Sequence, residues 1–230
     1  MRTISYKACY KPQPRQPPKR LPKRLPRKVV PSGIGDEGIV GNWLFYYLKG
    51  GDHLHDFSPY DNHGTLKNNP TWKDGSYGWA LDFPGSDEYV EVPDDASFDV
   101  SEITVSIWVY RDEVSDETSI MPISRIPSWD NCWAIRLLNS DTDPCDFRWR
   151  ISSGGNNYVI DIADVIEVGK WYHLVGVYDG SNMKSYLNGK QQGSKASGWT
   201  TDLTAAVYIG SHVGILSSRE NRHRPHLFYR

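Results

Sequence analysis

Oxygen-bearing side chains are concentrated between residues 56 and 62, where Asp56, Ser58, Asp61 and Asn62 occur. Hard cations such as Ca2+ take roughly six to eight oxygen ligands, and an irregular loop can supply carboxylate, amide and backbone carbonyl oxygens. The pattern predicts a structural calcium site with Asp56 and Asn62 as ligands. The alternative is a loop whose side chains hydrogen-bond their own backbone, as Asx turns do.

Aromatic side chains near predicted turns are the candidates for ligand contact in a sequence with nine Trp and 14 Tyr residues. An exposed ring can stack on the apolar face of a sugar while neighbouring polar groups fix its orientation. For each candidate the alternative is packing in the core or at its rim. The candidates are Trp72, Tyr77, Trp79, Trp129 and Trp199. Trp residues within predicted strands are expected to pack, and these are Trp108, Trp133, Trp149 and Trp171.

Short alternating strands separated by turns must position these residues. The clearest is Ile103–Tyr110, in which Ile and Val alternate with Thr, Ser and aromatic residues. Trp171–Tyr178 ends at an Asp-Gly pair and Met183–Leu187 ends at an Asn-Gly pair, the strongest local signals for hairpin turns. No helical periodicity runs for more than two turns. The pattern predicts an antiparallel all-β fold.

The charge of the chain is divided unevenly. Residues 1–31 carry ten of the 26 Lys and Arg residues, seven prolines and no Asp or Glu, which leaves 16 basic and 28 acidic residues in the rest. Such a segment buries too little apolar surface to offset its ordering entropy, so a disordered tail is predicted. The tail could be a solvated linker or an electrostatic contact for nucleic acid.

The three cysteines do not form a disulfide framework. Cys9 lies in the basic tail, and Cys132 and Cys145 would lie near opposite ends of a predicted hairpin, too far apart for a bridge. Free thiols are therefore expected, which leaves the redox compartment undetermined. No stretch approaches the roughly 18 apolar residues of a membrane span, and residues 1–31 lack the apolar segment of a signal peptide.

Three segments in consistent order resemble the laminin-G-like jelly-roll domains of the concanavalin A-like lectin and glucanase superfamily. They are Asp56–Leu66, which follows an opening Trp strand at Gly41–Phe45, Ala80–Tyr110, and Gly169–Lys190. The resemblance covers about residues 38–214 and implies a two-sheet antiparallel β-sandwich with about six or seven strands in each sheet. It also implies an extracellular or surface-exposed location.

The same resemblance bears on metal binding and catalysis. In similar domains the early loop helps to bind a structural calcium, often completed by an acid of the closing strand. Glucanases of this fold place three acids at alternate positions of one strand, and the nearest arrangement here is Asp87, Tyr89 and Glu91, which lacks the middle acid. His173 lies on a predicted strand, where packing or hydrogen bonding is expected. We therefore predict a domain that is not an enzyme.

The segment after Gly214 departs from the resemblance. Similar domains close with a strand that reads approximately Gly-x-Ile-Asp-Glu-Val-Arg-Ile-Tyr, whereas residues 215–230 show no strand alternation. Codon degeneracy permits a DNA sequence for 215–230 that, read one base later, encodes Leu-Gly-Arg-Ile-Asp-Thr-Val-Arg-Ile-Tyr. We hypothesise a single-base frameshift, which a closed or unrelated shifted frame in the encoding DNA would contradict. Residues 215–230 should then form at best a frayed end of a marginally stable protein.

The leading functional hypothesis is a non-catalytic recognition or adhesion module for carbohydrate or a protein surface, stabilised by calcium. An acidic domain with Asp and Asn in its loops suits neutral sugars and divalent cations better than polyanions. A second hypothesis is a viral or particle structural protein, in which the basic tail contacts nucleic acid and the jelly roll builds a shell. A third, a glucanase, is disfavoured by the incomplete set of acids.

Overall fold

The computed structural model describes residues 38–45, 51–75, 78–83, 87–114, 119–128, 131–199, 204–210 and 227–229. Within these residues the chain forms fifteen strands and one 3₁₀ turn at Ala96–Phe98. The basic tail, with the nucleic-acid contact predicted for it, lies outside the described residues. Tyr77 and Trp129 also lie outside them. No helix in the described part of the chain is long and apolar enough to cross a membrane.

The strands form two antiparallel sheets. The eight-stranded sheet has the spatial order β1 (His53–Leu54), β2 (Gly64–Lys67), β5 (Tyr89–Val92), β14 (Val207–Ile209), β7 (Ser119–Ser128), β8 (Asn131–Leu138), β9 (Cys145–Ser153) and β10 (Asn156–Ile166). The seven-stranded sheet has the order β13 (Lys190–Ala196), β12 (Asn182–Leu187), β11 (Trp171–Tyr178), β6 (Ile103–Arg111), β15 (Leu227–Tyr229), β4 (Gly78–Phe83) and β3 (Thr71–Gly75). The predicted two-sheet sandwich is confirmed, with one strand more in the first sheet than expected.

Side-chain alternation separates the two faces of the seven-stranded sheet. In β6 the side chains of Val105, Ile107 and Val109 are buried, whereas Thr104 and Ser106 between them are exposed. In β11 every second residue, beginning with Tyr172, is likewise buried. The register pairs Ile107 with Leu174, so the apolar positions of both strands face the same side. The core therefore lies between the sheets, and the opposite face of β6 and β11 is directed outward.

The predicted hairpin turn between β12 and β13 is confirmed. Asn188 and Gly189 both adopt positive φ angles, 49° and 77°. These angles match the two-residue turn that suits the right-handed twist of the flanking strands. The predicted opening strand at Gly41–Phe45 is smaller than expected, because its described residues contribute a single bridge between Trp43 and Asp56.

A short strand near the C-terminus corrects one expectation. Leu227–Tyr229 forms β15, and Phe228 pairs with Asp82 of β4 on one side and with Tyr110 of β6 on the other. The prediction that residues 215–230 contribute at best a frayed end is therefore wrong for these three residues. Apolar and aromatic residues favour strands, and two flanking strands offer backbone groups that require partners. The frameshift hypothesis stays a prediction.

The two described cysteines are buried and form no disulfide, as predicted. The register of the β8–β9 hairpin pairs Cys132 with Ser152, and Cys145 lies where β9 begins, at the opposite end of the hairpin. Burial raises the pKa of the Cys145 thiol to about 11 and also raises the pKa of Cys132. Because the thiolate is the reactive species, both side chains are protonated and shielded in the folded protein at neutral pH.

These thiols should be unreactive until the domain unfolds. In a Cys9→Ser variant at pH 8, we expect a chromogenic disulfide reagent to label neither thiol of the folded protein within minutes and both thiols in concentrated urea. The measurement is the absorbance of the released aromatic thiolate. Rapid labelling of the folded protein would contradict the burial, and failure to label the unfolded, unreduced protein would indicate a disulfide.

Candidate functional site

The most exposed tryptophan with a defined place in a sheet is Trp108, on the outward face of β6. Its side chain is 40% exposed. Trp108 lies directly opposite His173 of β11, and the two rings stack with centroids 5.0 Å apart and an interplanar angle of 23°. One face of the indole is therefore covered by the imidazole, and 40% of the side-chain surface remains accessible to solvent.

The local structure fixes the orientation of this pair. His173 Nε2 and Ser106 Oγ form a hydrogen bond of 2.8 Å, which ties the imidazole to β6. The backbone N–H of His173 donates to Oδ1 of Asn188, and the N–H of Asn188 donates to the carbonyl oxygen of His173. The β12–β13 turn therefore secures the strand below the ring. Burial lowers the pKa of His173, so the imidazole is neutral at neutral pH.

A second aromatic pair lies two residues further along both strands. Tyr110 of β6 is opposite Trp171 of β11, with ring centroids 5.4 Å apart and an angle of 45° between the planes. Both side chains are partly exposed. Because side chains two residues apart share a face, the two pairs lie on the same outward surface. We refer to Trp108, His173, Tyr110 and Trp171 as the aromatic patch.

The aromatic patch carries no formal charge. The outward residues of β6 and β11, both described in full, are Thr, Ser, Trp, Tyr, neutral His and Val. An open indole beside hydroxyl and amide groups offers apolar stacking together with directional hydrogen bonds. This combination suits a ligand that has one apolar face and several hydroxyl groups.

Trp199 was predicted as a ligand-binding residue, and the structure places it in the core. Its side chain is 7% exposed and meets the ring of Tyr178 edge-on, with centroids 5.7 Å apart. The backbone N–H of Trp199 donates to the hydroxyl oxygen of Tyr178. Little of the indole is accessible to a ligand, because proximity to a turn does not make a ring exposed, and ligand binding by Trp199 stays a prediction.

Two other predicted residues are half-buried. Trp72 of β3 packs against the core, and its ring is 6.4 Å from that of Phe45. Trp79 of β4 is half-buried at the same edge of the sheet, next to β3. Trp72 and Trp79 therefore lie on the neighbouring strands β3 and β4, apart from the aromatic patch. Ligand binding by these two residues stays a prediction.

The strand tryptophans divide into two groups. Packing is confirmed for Trp133 and Trp149, which are 3% and 0% exposed. The prediction of packing is wrong for Trp108, which is exposed, and it holds only in part for Trp171, which is half-buried. The sequence did contain the signal for Trp108, because it occupies the same alternate positions as Thr104 and Ser106, opposite to the Ile and Val positions of the strand.

The residues predicted to bind calcium form a hydrogen-bonded hub. Oδ1 of Asp56 accepts from the backbone N–H groups of Asn42 and Ser58, at 2.6 and 2.9 Å. Oδ2 accepts from the N–H of Asn62 at 2.8 Å and from the hydroxyl of Ser58. The Asn62 amide donates to the carbonyl oxygen of Val40 at 2.7 Å. The residues that the sequence singled out are therefore in contact with one another. Their side chains bond to the backbone, as in the alternative of an Asx loop.

Calcium binding stays a prediction. The Asp56 oxygens face N–H and O–H donors, which a cation would have to displace. Among the described residues, no three His, Cys, Asp or Glu side chains are grouped around a common point suitable for a metal ion.

The acidic positions compared with glucanases do not form a catalytic arrangement. Glu91 is paired with Lys67 at 3.1 Å on the surface. Tyr89, at the middle position, meets Tyr208 edge-on with ring centroids 5.8 Å apart. The exposed Asp87 precedes β5. A glycosidase requires two carboxyl groups on either side of a cleft, whereas Glu91 is paired with Lys67 and Asp87 lies outside the strand.

Comparison with solved structures identifies similar folds. The binding domain of Paraclostridial Mosquitocidal Protein 1 has a TM-score of 0.61 at 16% identity, covering 79% of this chain and 45% of that one. A structure concerned with botulinum neurotoxin type C, whose cell entry depends on interaction with two ganglioside molecules, has a TM-score of 0.61 at 13% identity, covering 85% and 47%. The botulinum neurotoxin type G receptor binding domain has a TM-score of 0.58 at 14% identity, covering 83% and 46%.

The chain spans about half the length of these structures. At such low identity the likeness shows a shared fold. No curated protein matches the sequence. A family model described as the concanavalin A-like lectin/glucanases superfamily matches residues 84–220, more than half of the chain. The strands before residue 84 belong to the same two sheets as the matched region. The chain belongs to the concanavalin A-like lectin/glucanase superfamily.

Proposed function

We propose that the chain is a non-enzymatic binding module that recognises carbohydrate through the aromatic patch and acts at a cell or particle surface. The observation that carries the proposal is the 40% exposure of Trp108 in the middle of a sheet face. A large apolar ring is normally buried when a neighbouring core can accept it, and exposed aromatic surface is typical of binding sites.

The chemistry of the aromatic patch favours a sugar ligand. The C–H face of a pyranose is apolar and packs well on an indole, and its hydroxyl groups can bond to a polar rim. Ser106 Oγ and the Asn188 side chain lie beside His173 and provide such a rim. The absence of formal charge from the outward residues of β6 and β11 favours a neutral ligand over a polyanion.

The similar folds support the choice of binding as the activity. Two of the solved structures are binding domains, and the third concerns a neurotoxin whose cell entry depends on gangliosides. Gangliosides carry oligosaccharide headgroups, so they belong in the first set of glycans to be tested together with neutral oligosaccharides.

Substitution of Trp108 tests the proposal. Binding to a glycan array should identify a ligand, and titration calorimetry with that ligand should show an affinity loss of about tenfold or more for Trp108→Ala. Stacking and apolar burial by one indole together contribute roughly 1.5 kcal/mol or more, which corresponds to that factor.

Tyr60→Ala is the control, because Tyr60 is an exposed aromatic residue, 50% accessible, in the loop after β1 and outside the seven-stranded sheet. It should bind the glycan as the wild-type protein does, while the thermal melting of the Trp108→Ala variant should stay close to that of the wild type. Equal affinity of wild type and Trp108→Ala would exclude the aromatic patch. If the chain bound a protein but none of the glycans, the proposal of sugar recognition would be wrong and the module would be one that recognises protein.

A further inference from the structure

We infer that the aromatic patch binds at least two consecutive units of a neutral linear oligosaccharide, with the sugar chain aligned along β6. The inference rests on the proposed function and specifies its ligand class. It comes from the repetition of the aromatic pairs along the strands: Trp108 opposite His173, and Tyr110 opposite Trp171.

The distance between the two aromatic pairs sets the minimum length of a sugar chain that can contact both. A strand advances about 3.4 Å per residue, so the two levels are roughly 7 Å apart along the sheet. Each level offers aromatic surface on the same outward face. One pyranose ring is shorter than this spacing, so a single sugar can lie on only one level, and contact with both levels requires at least two linked sugars.

The surface continues in the other direction with a different character. Ser106 is opposite Val175, and Val175 is in turn opposite Tyr186 of β12. This third level presents the Ser106 hydroxyl, the small aliphatic side chain of Val175 and the partly exposed ring of Tyr186, and Ser106 is also bonded to His173. A sugar next to the one on Trp108 would therefore meet a hydroxyl group on β6, with the Tyr186 ring two strands away on β12.

A charged pair limits the neutral surface. At the following level Val177 is opposite Lys184, whose ammonium group lies 2.6 Å from a carboxylate oxygen of Asp179. The three levels before this ion pair, at Tyr110, Trp108 and Ser106 of β6, are neutral. The first and the third are about 14 Å apart. This neutral surface has room for two or three sugar units. The outward residues of β6 and β11 include no cation that could pair with an acidic sugar.

The test compares chain lengths within matched series of glycans. The probes are the mono- to tetrasaccharides of glucose (β-1,4 and α-1,4), of N-acetylglucosamine and of galactose, and their binding to the full chain is measured by calorimetry. Sialylated glycans are measured separately. In at least one neutral series we expect the disaccharide to bind at least tenfold more tightly than the monosaccharide. No unit beyond the trisaccharide should add affinity.

Trp171→Ala separates the two levels. In this variant the gain in affinity from mono- to disaccharide should be lost, whereas Trp108→Ala should also weaken monosaccharide binding. Thermal melting establishes that each variant is folded, and Tyr60→Ala is the control with both levels intact. Binding that Trp108→Ala abolishes but that does not increase from mono- to disaccharide overturns this inference alone. Binding confined to sialylated glycans also overturns it, and no glycan binding at all overturns the proposed function as well.

Discussion

Replacing Gly176 by alanine is expected to destabilise the domain by about 3 kcal/mol or more, a large share of the stability of a typical domain. A Cβ atom at Gly176 would lie 2.3 to 2.7 Å from three ring atoms of Trp149, closer than packed atoms can approach. Trp149 is completely buried on β9, and its indole N–H donates to the carbonyl oxygen of Val177 at 3.1 Å. The ring cannot withdraw without breaking this bond and displacing the opposite sheet.

Urea unfolding followed by tryptophan fluorescence measures the effect. Gly198→Ala is the matched control, because a Cβ atom there would meet only the Tyr158 hydroxyl at 3.8 Å, an ordinary contact. Its stability should remain within about 0.5 kcal/mol of the wild type. Equal stability of the Gly176→Ala variant and this control would contradict the close packing of the two sheets at Trp149.

The second large effect is expected for Asp56→Ala, with a loss of about 3 kcal/mol or more. The carboxylate accepts hydrogen bonds from the backbone of Asn42, Ser58 and Asn62 and from the Ser58 hydroxyl. Removing it leaves several largely buried donors without an acceptor, and each such donor costs about 1 kcal/mol or more. Asp61→Asn is the control, because Asp61 is exposed and Asn tolerates its φ of 57°.

The same variant separates the two explanations of the loop. If the hydrogen bonds account for the role of Asp56, its replacement should lower the free energy of unfolding equally in EDTA and in millimolar calcium. If calcium binds there, the wild type should gain stability in calcium and the Asp56→Ala variant should not. An Asp56→Ala protein as stable as Asp61→Asn under both conditions would contradict both explanations.

The sequence predicts the strands well because alternation and turn chemistry are local. The Ile and Val alternation of β6 and the Asn188-Gly189 turn each determine a local geometry that tertiary contacts do not override. The β8–β9 hairpin could be located for the same reason, and its register separates Cys132 from Cys145.

The features that sequence analysis missed depend on distant contacts. Arg125 is completely buried, and its guanidinium group donates to the carbonyl oxygen of Phe98 at 2.9 Å and to Asp94 at 2.7 Å. Arg111 is also buried and bonds to backbone carbonyl oxygens of Ser140 and Ile166. Nothing in the local pattern distinguishes these arginines from surface residues, because their partners come from loops remote in sequence.

The candidate site could be predicted in part. The loop at Asp56 was found because its residue types are unusual for a short segment, although hydrogen bonding and metal ligation use the same oxygens and cannot be separated by composition. Position within a strand does not reveal the aromatic patch, because every strand of a sheet has one inward and one outward face. Trp108 shares the parity of Ser106, and this alone assigns it to the outward face.

The most direct test of the central claim is the indole N–H spectrum of ¹⁵N-labelled protein during titration with the glycan that binds. The nine tryptophans give separate probes, assigned by single substitutions. We predict a progressive shift of the Trp108 signal with smaller changes at Trp171, and constant positions for the buried Trp133 and Trp149. Shifts at Trp72 or Trp79 with an unchanged Trp108 signal would contradict the assignment of the binding site to the aromatic patch.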